Sequence, residues 1–132
     1  MAIRPVSELV AAAKERIEGL APDAARAEAE AGRALLVDLR DIRELDREGR
    51  IPGAFHAPRG MLEFWVDPAS PYHKAALGEA MADGRKLVLF CASAWRSALS
   101  AATLADMGVE NIAEISGGFS AWRAAGLPVN RD

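Results

Sequence analysis

The 132-residue chain carries a single cysteine, Cys91, and the residues around it have the types and order that chemistry at sulfur needs. Lys86-Leu87-Val88-Leu89-Phe90 is an apolar run of strand length that ends at Cys91. The segment Cys91-Ala92-Ser93-Ala94-Trp95-Arg96-Ser97 then joins that strand to an Ala/Leu/Ser-rich stretch of helical composition. A tight strand-to-helix loop turns successive backbone N–H groups toward one point, where the helix N-terminus adds partial positive charge. A sulfur at that focus is favoured as thiolate, and the same donors hold a terminal sulfur anion or a bound oxyanion. Ala92, Ser93 and Ala94 are small enough to let the backbone approach a ligand, and Arg96 supplies a permanent, forked cation. The plain alternative is an inert, buried cysteine that packs as a small apolar residue.

The elements that must position this loop are legible as alternating apolar runs and helical patterns. Ala34-Leu35-Leu36-Val37 is a continuous apolar run ending at Asp38, which suits a buried parallel strand. A short helix over 41–48 stops at Gly49, and the Ile51-Pro52-Gly53-Ala54 turn leads into a short strand near Ala54-Phe55. Residues 58–80 hold short helices separated by the turn from Asp67 to Pro71. After the strand into Cys91 come a helix from Ser97 to Met107, a strand from Asn111 to Ile115, and a helix from Phe119 to Ala125. At the N-terminus, Ser7 is a candidate cap, and Val6, Val10, Ala13, Ile17 and Leu20 form a stripe that predicts one amphipathic helix over the first twenty residues. A second helix runs from Pro22 to Gly32. Strands alternating with helices predict an α/β fold with a mainly parallel central sheet flanked by helices in three layers, plus an N-terminal helical extension. The expected division is an extension over 1–33 packed on a domain over 34–132, with ligands beyond the carboxyl ends of the strands.

Composition narrows the function. With 51% hydrophobic and 27% charged residues the chain is an ordinary globular one, and its net charge of −3 gives no global field for nucleic acid or anionic lipid. No apolar run approaches a membrane span, and the charged first twenty residues are unlike a signal peptide, which points to a cytoplasmic protein. One cysteine makes neither an internal disulfide nor a Cys-rich zinc site, which leaves packing or reactivity for Cys91, and no motif implies a metal or organic cofactor.

Three motifs in order resemble the rhodanese (sulfurtransferase) family over about residues 34 to 130. Val37-Asp38-Leu39-Arg40, Glu44 and Gly49-Arg50-Ile51-Pro52-Gly53-Ala54-Phe55-His56 resemble its first signature. The strand into Cys91 with Arg96-Ser97-Ala98 resembles its catalytic loop, and Gly117-Gly118-Phe119-Ser120-Ala121-Trp122 its closing Gly-Gly-x-x-x-Trp. The resemblance implies a rhodanese-like domain in which Cys91 accepts sulfane sulfur from a donor such as thiosulfate and carries it as a persulfide. Cyanide, a thiol or a sulfur-accepting protein then takes it. Ala92, Ser93, Ala94, Trp95, Arg96 and Ser97 would form the cradle for the small anionic donor. Arg96 follows Cys91 by five residues, the short loop of sulfurtransferases, whereas related dual-specificity phosphatases carry one more residue. The competing reading is a non-catalytic binding or regulatory module on the same fold, and the retention of both Cys91 and Arg96 argues against it.

The chain departs from the family in two places. Ala94 stands where many loops have glycine, which predicts a strained left-handed residue, and Arg50 replaces a histidine. Among the remaining polar residues, Arg59 follows the His56 turn and is a second candidate for the anionic donor, against a surface salt bridge. His56 is expected to bond nearby backbone, His73 to be solvated, and Asp38 and Arg40 to form a structural ion pair. Trp65 and Trp95 wall the pocket or simply pack, while Trp122 belongs to the core. The acidic and basic residues between Arg33 and Arg59 read as a solvated mixed face.

Overall fold

Five strands, β1 (Glu18–Leu20), β2 (Ala34–Asp38), β3 (Phe55–His56), β4 (Lys86–Phe90) and β5 (Ile112–Ile115), form one sheet in the computed structural model, which describes residues 2–131. Met1 and Asp132 lie outside the described residues. The strand order is β1-β5-β4-β2-β3 and every pairing is parallel. From β2 the chain steps outward to β3, and from β4 it steps the other way to β5. The order therefore reverses between β2 and β4, and crevices open at such a point beyond the strand ends. Asp38 and Cys91 both lie there, since β2 and β4 run in register from Ala34↔Lys86 to Asp38↔Phe90.

The apolar runs are buried on both faces because each residue in turn faces an opposite helical layer. Val37, Leu87 and Leu89 point to one side and pack with Leu62, Val66, Leu77, Ala101 and Leu104. These come from α4 (Leu62–Val66), α5 (Ala75–Ala82) and α6 (Arg96–Met107). Leu36, Val88 and Phe90 point to the other side, with Ala25 of α2 (Pro22–Glu30) and Phe119 and Trp122 of α7 (Gly118–Ala124). α3 (Ile42–Glu48) follows β2, opened by a capping box in which the Asp41 side chain accepts from the Arg43 amide while Glu44 accepts from the Asp41 amide.

The N-terminal stripe predicts one helix through Leu20, and here the structure differs. α1 covers Val6–Arg16, with Pro5 rather than Ser7 at the cap position and no side-chain cap. Ile17 is extended, and Glu18–Leu20 pairs with Ala113–Ile115 as the edge strand. The apolar spacing of Ile17 and Leu20 serves either state, and the open edge of β5 decides between them. Residues 1–33, expected to be wholly helical, thus also complete the sheet. The first helix packs Val10 and Ala13 on Ala98 and Ala102 of α6. No helix among the described residues is long and apolar enough to cross a membrane.

Candidate active site

Cys91 sits where β4 ends and is 1% exposed. Five residues later α6 begins at Arg96, with no side chain capping its N-terminus, so the first-turn amides remain available to another acceptor. The backbone turns at Ala94, the one residue other than glycine with positive φ among the described residues, at 69°. This bears out the strain read from the sequence: a side chain occupies a left-handed position, and Ala94 is buried there.

Burial pushes the Cys91 thiol up, but the opposing groups win and its pKa lies below the usual thiol value. They are the Ser97 amide, the Ser97 hydroxyl, the Ser93 amide and the charge of Arg96. Ser97 Oγ lies 3.7 Å from Cys91 Sγ. Ser97 is buried, Ala92 half-buried and Ser93 exposed, while Trp95 is 48% exposed at the outer rim of the loop. Of the loop residues read from the sequence, Ser93 and Ser97 are those whose amides favour the thiolate.

Arg96 has a partner that the sequence reading did not assign. Its Nη1 and Nη2 donate to Glu44 Oε2 and Oε1 at 2.8 and 2.9 Å. The Arg96 bonds, working against burial, hold the Glu44 carboxyl down at about 2, and Glu44 in turn raises the pKa of Arg96 further above the ordinary arginine value. The signal available was the capping position: Glu44 is fixed by the Asp41 box, which aims its carboxylate while leaving an oxygen for a second donor.

A second group missed by reading residues singly is Gly118. The Phe119 and Ser120 amides donate to the carbonyls of Cys91 at 2.7 Å and Ala92 at 3.0 Å. This contact turns those carbonyls toward α7. A Cβ on Gly118 would meet the Cys91 oxygen at 2.5 Å, and its φ is +63°. The Gly-Gly pair is thus a support for the cysteine loop.

The other candidates fall where their surroundings dictate. Asp38 and Arg40 form the expected ion pair, 2.7 Å at its closest and buried, so the charged stretch between Arg33 and Arg59 is not solvated throughout. His56 Nε2 bonds the Arg40 carbonyl at 2.7 Å, as expected. His73 is not solvated: it is half-buried, with Nδ1 2.9 Å from the Trp65 carbonyl and the ring against Gly78. Trp65 packs edge-on to Phe55, with the Lys74 ammonium over its face, and Trp122 is core. Arg59 is exposed on a 3-10 turn (Arg59–Met61) whose first amide donates to the Leu39 carbonyl, and its side chain makes no salt bridge among the described residues. Arg50 bridges Asn130 through its backbone, and its side chain reaches Asp46.

Comparison with known proteins gives the same picture. Residues 21–125 match the model of the rhodanese-like domain. The fold superposes with a TM-score of 0.89 and 44% identity on a protein of unknown function from Rhodopseudomonas palustris, named a possible tyrosine phosphatase, over 98% of this chain and 96% of that one. A thiosulfate sulfurtransferase from Pseudomonas aeruginosa gives 0.73 and 25% identity over 92% of this chain and 21% of that one. The polysulfide-sulfur transferase homodimer from Wolinella succinogenes gives 0.64 and 26% over 93% and 85%. An uncharacterized Synechocystis protein is 45% identical over 47 residues, and the match spans 26% of that curated relative's length. With residues 21–125, four-fifths of its length, matched, the chain belongs to the rhodanese-like domain family.

Proposed function

We propose that this domain is a sulfurtransferase that takes sulfane sulfur from a small anionic donor, such as thiosulfate, onto Cys91 and passes it to cyanide or a thiol. The observation that carries the reading is the set of groups that favour the Cys91 thiolate: the amides of Ser97 and Ser93, the neighbouring Ser97 hydroxyl and the Arg96 charge. The Cys91 thiolate attacks the terminal sulfur of thiosulfate, forming a new S–S bond, and the old S–S bond breaks with its electron pair leaving on sulfite. The persulfide anion rests in the cradle that held the thiolate. A cyanide carbon or thiolate sulfur then attacks the terminal sulfur and restores the Cys91 thiolate. Burial of Cys91 favours a slender terminal atom over a bulky group. Arg96 and the exposed Arg59 supply cation charge to the donor, and a sulfur-accepting protein is a natural further acceptor. A reactive lone thiol suits a reducing, cytoplasmic setting.

Intact-mass measurement after thiosulfate exposure tests this directly. The protein should gain one sulfur atom that cyanide removes, and Cys91→Ser should gain none and lose thiosulfate-to-cyanide transfer while remaining folded. An unchanged mass would favour the non-catalytic module. Unchanged mass together with hydrolysis of an aryl phosphate would instead favour the phosphatase reading suggested by the name of the Rhodopseudomonas protein.

A further inference from the structure

Glu114 is a carboxylate with no part in the steps above, yet it is 3% exposed and two groups away from the reactive sulfur. Its Oε1 accepts from the Ser97 hydroxyl at 2.7 Å, and its Oε2 accepts from Lys14 Nζ at 2.7 Å. Ser97 Oγ in turn receives the Cys91 thiol at 3.7 Å. The chain of contacts thus runs from α1, which precedes the stretch matched by the family, through β5 and α6 to Cys91.

A serine hydroxyl has one proton to donate. While that proton goes to Glu114, Ser97 can only accept from Cys91, which suits the thiol. When Cys91 ionises and its proton is lost to solvent, the hydroxyl must turn to the sulfur, and Glu114 then keeps only Lys14 as a donor. We propose that Glu114 and Lys14 are positioning residues that set which way the Ser97 hydroxyl points, so that the N-terminal helix governs the charge state of Cys91. The other charges are Arg96 on α6, which also favours the thiolate, its partner Glu44 on α3, and the Asp38–Arg40 pair, which closes on itself beside the Phe90 and Phe119 rings. Lys14 and Glu114 are the charged pair that reaches the sulfur through the Ser97 hydroxyl.

The consequence for sulfur transfer rests on the proposed function, but the coupling is a property of the thiol and is measured without any sulfur donor. The test is the pH dependence of Cys91 alkylation by iodoacetamide. Glu114→Gln removes a negative charge, and its amide can donate to Ser97 and free the hydroxyl for the sulfur. The alkylation midpoint should fall by about half a pH unit or more. Lys14→Met leaves the Glu114 charge unbalanced and should raise the midpoint, and the double variant should follow Glu114→Gln. Opposite shifts are the result that a merely structural role does not produce. Midpoints that stay put, or that move the same way in both single variants, overturn the proposal. Should Glu114→Gln fail to fold, Lys14→Met at its partly exposed position decides alone: a raised midpoint supports the coupling and an unmoved one overturns it. Shifted midpoints without sulfur loading would refute the sulfurtransferase reading and leave this one standing, while loading with unmoved midpoints would do the reverse.

Discussion

Two arginines at the same end of the sheet each make a bidentate contact with a carboxylate and do different work. Arg40 binds Asp38 through Nε and Nη2, donates to the Gly49 carbonyl at 2.9 Å, and lies 4.0 Å from the Phe119 ring centroid, with 1% exposure. Its Nη1 is buried and has no hydrogen-bond partner among the described residues. The Arg96 side chain keeps 35% of its surface, is tied to Glu44, and adds its charge to the Cys91 sulfur. An arginine sealed on all sides ties β2 to the turn at Gly49 and to α7. One left partly open keeps charge that an arriving anion can use. The ion-pair chemistry is common to both, and burial divides holding the fold from serving the site.

Breaking the sealed pair should have the largest effect. Arg40→Ala leaves the Asp38 carboxylate buried and unpaired, and chemical denaturation should show a loss of about 3–5 kcal/mol. Asp38→Asn combined with Arg40→Met should recover a good part of that loss. A single variant that keeps wild-type stability would remove the distinction between the two arginines.

The open pair should show the reverse profile. Arg96→Ala should raise the KM for thiosulfate about 30-fold, equivalent to about 2 kcal/mol, with a much smaller loss of stability. Lysine should restore only part of this, because it returns the charge without the planar fork. The effect should shrink at high salt, where exposed contacts are screened. Unchanged thiosulfate kinetics in a folded Arg96→Ala protein would show that the backbone cradle alone receives the donor.

Acid sharpens the same comparison. Glu44 is held at about 2 by Arg96, below the ordinary carboxylate range. Its stabilising contribution is therefore complete above the unfolded value of about 4 and is lost as the pH falls through about 2. Thermal melts between those limits should fall more steeply for the wild type than for Glu44→Gln, which itself should cost about 1 kcal/mol near neutrality because the pair is partly exposed. Equal acid slopes in the two proteins would mean that Arg96 does not hold Glu44 in solution. By the same reasoning, the reactive limb of Cys91 in a pH–rate profile should lie below that of a free thiol.

The smallest effect belongs to the loop itself. Ala94 stands at φ 69°, and left-handed alanine is strained by about 1 kcal/mol. Ala94→Gly relieves that strain while adding chain entropy, so its melting temperature should match or slightly exceed the wild type. A clear drop would show that the buried Ala94 methyl contributes more by packing than the backbone loses by strain.

Much of this was legible in the chain itself. Continuous apolar runs at 34–37 and 86–90 specified buried parallel strands, because only a strand covered on both faces needs apolar residues at every position. The single cysteine at the end of such a run, followed by small residues and an arginine, located the site, since strand-to-helix loops present amides and no other nucleophile of its kind was on offer. The sequence even marked Ala94 as strained, from the residue type at one turn.

Tertiary structure alone decided the groups that come from afar. Glu18–Leu20 is a strand because β5 offers an open edge, and a local stripe of apolar residues cannot report a partner that lies more than 90 positions away in the chain. Glu44 meets Arg96 across 52 positions, and Glu114 and Lys14 meet across 100. Gly118 supports the Cys91 carbonyl from a third element. Periodicity records which face of an element is buried, but it carries no record of which two charged side chains the fold brings together. That is why the candidate cysteine could be read from the chain, whereas the charged side chains gathered near it emerged only when the sheet and its helices were in place.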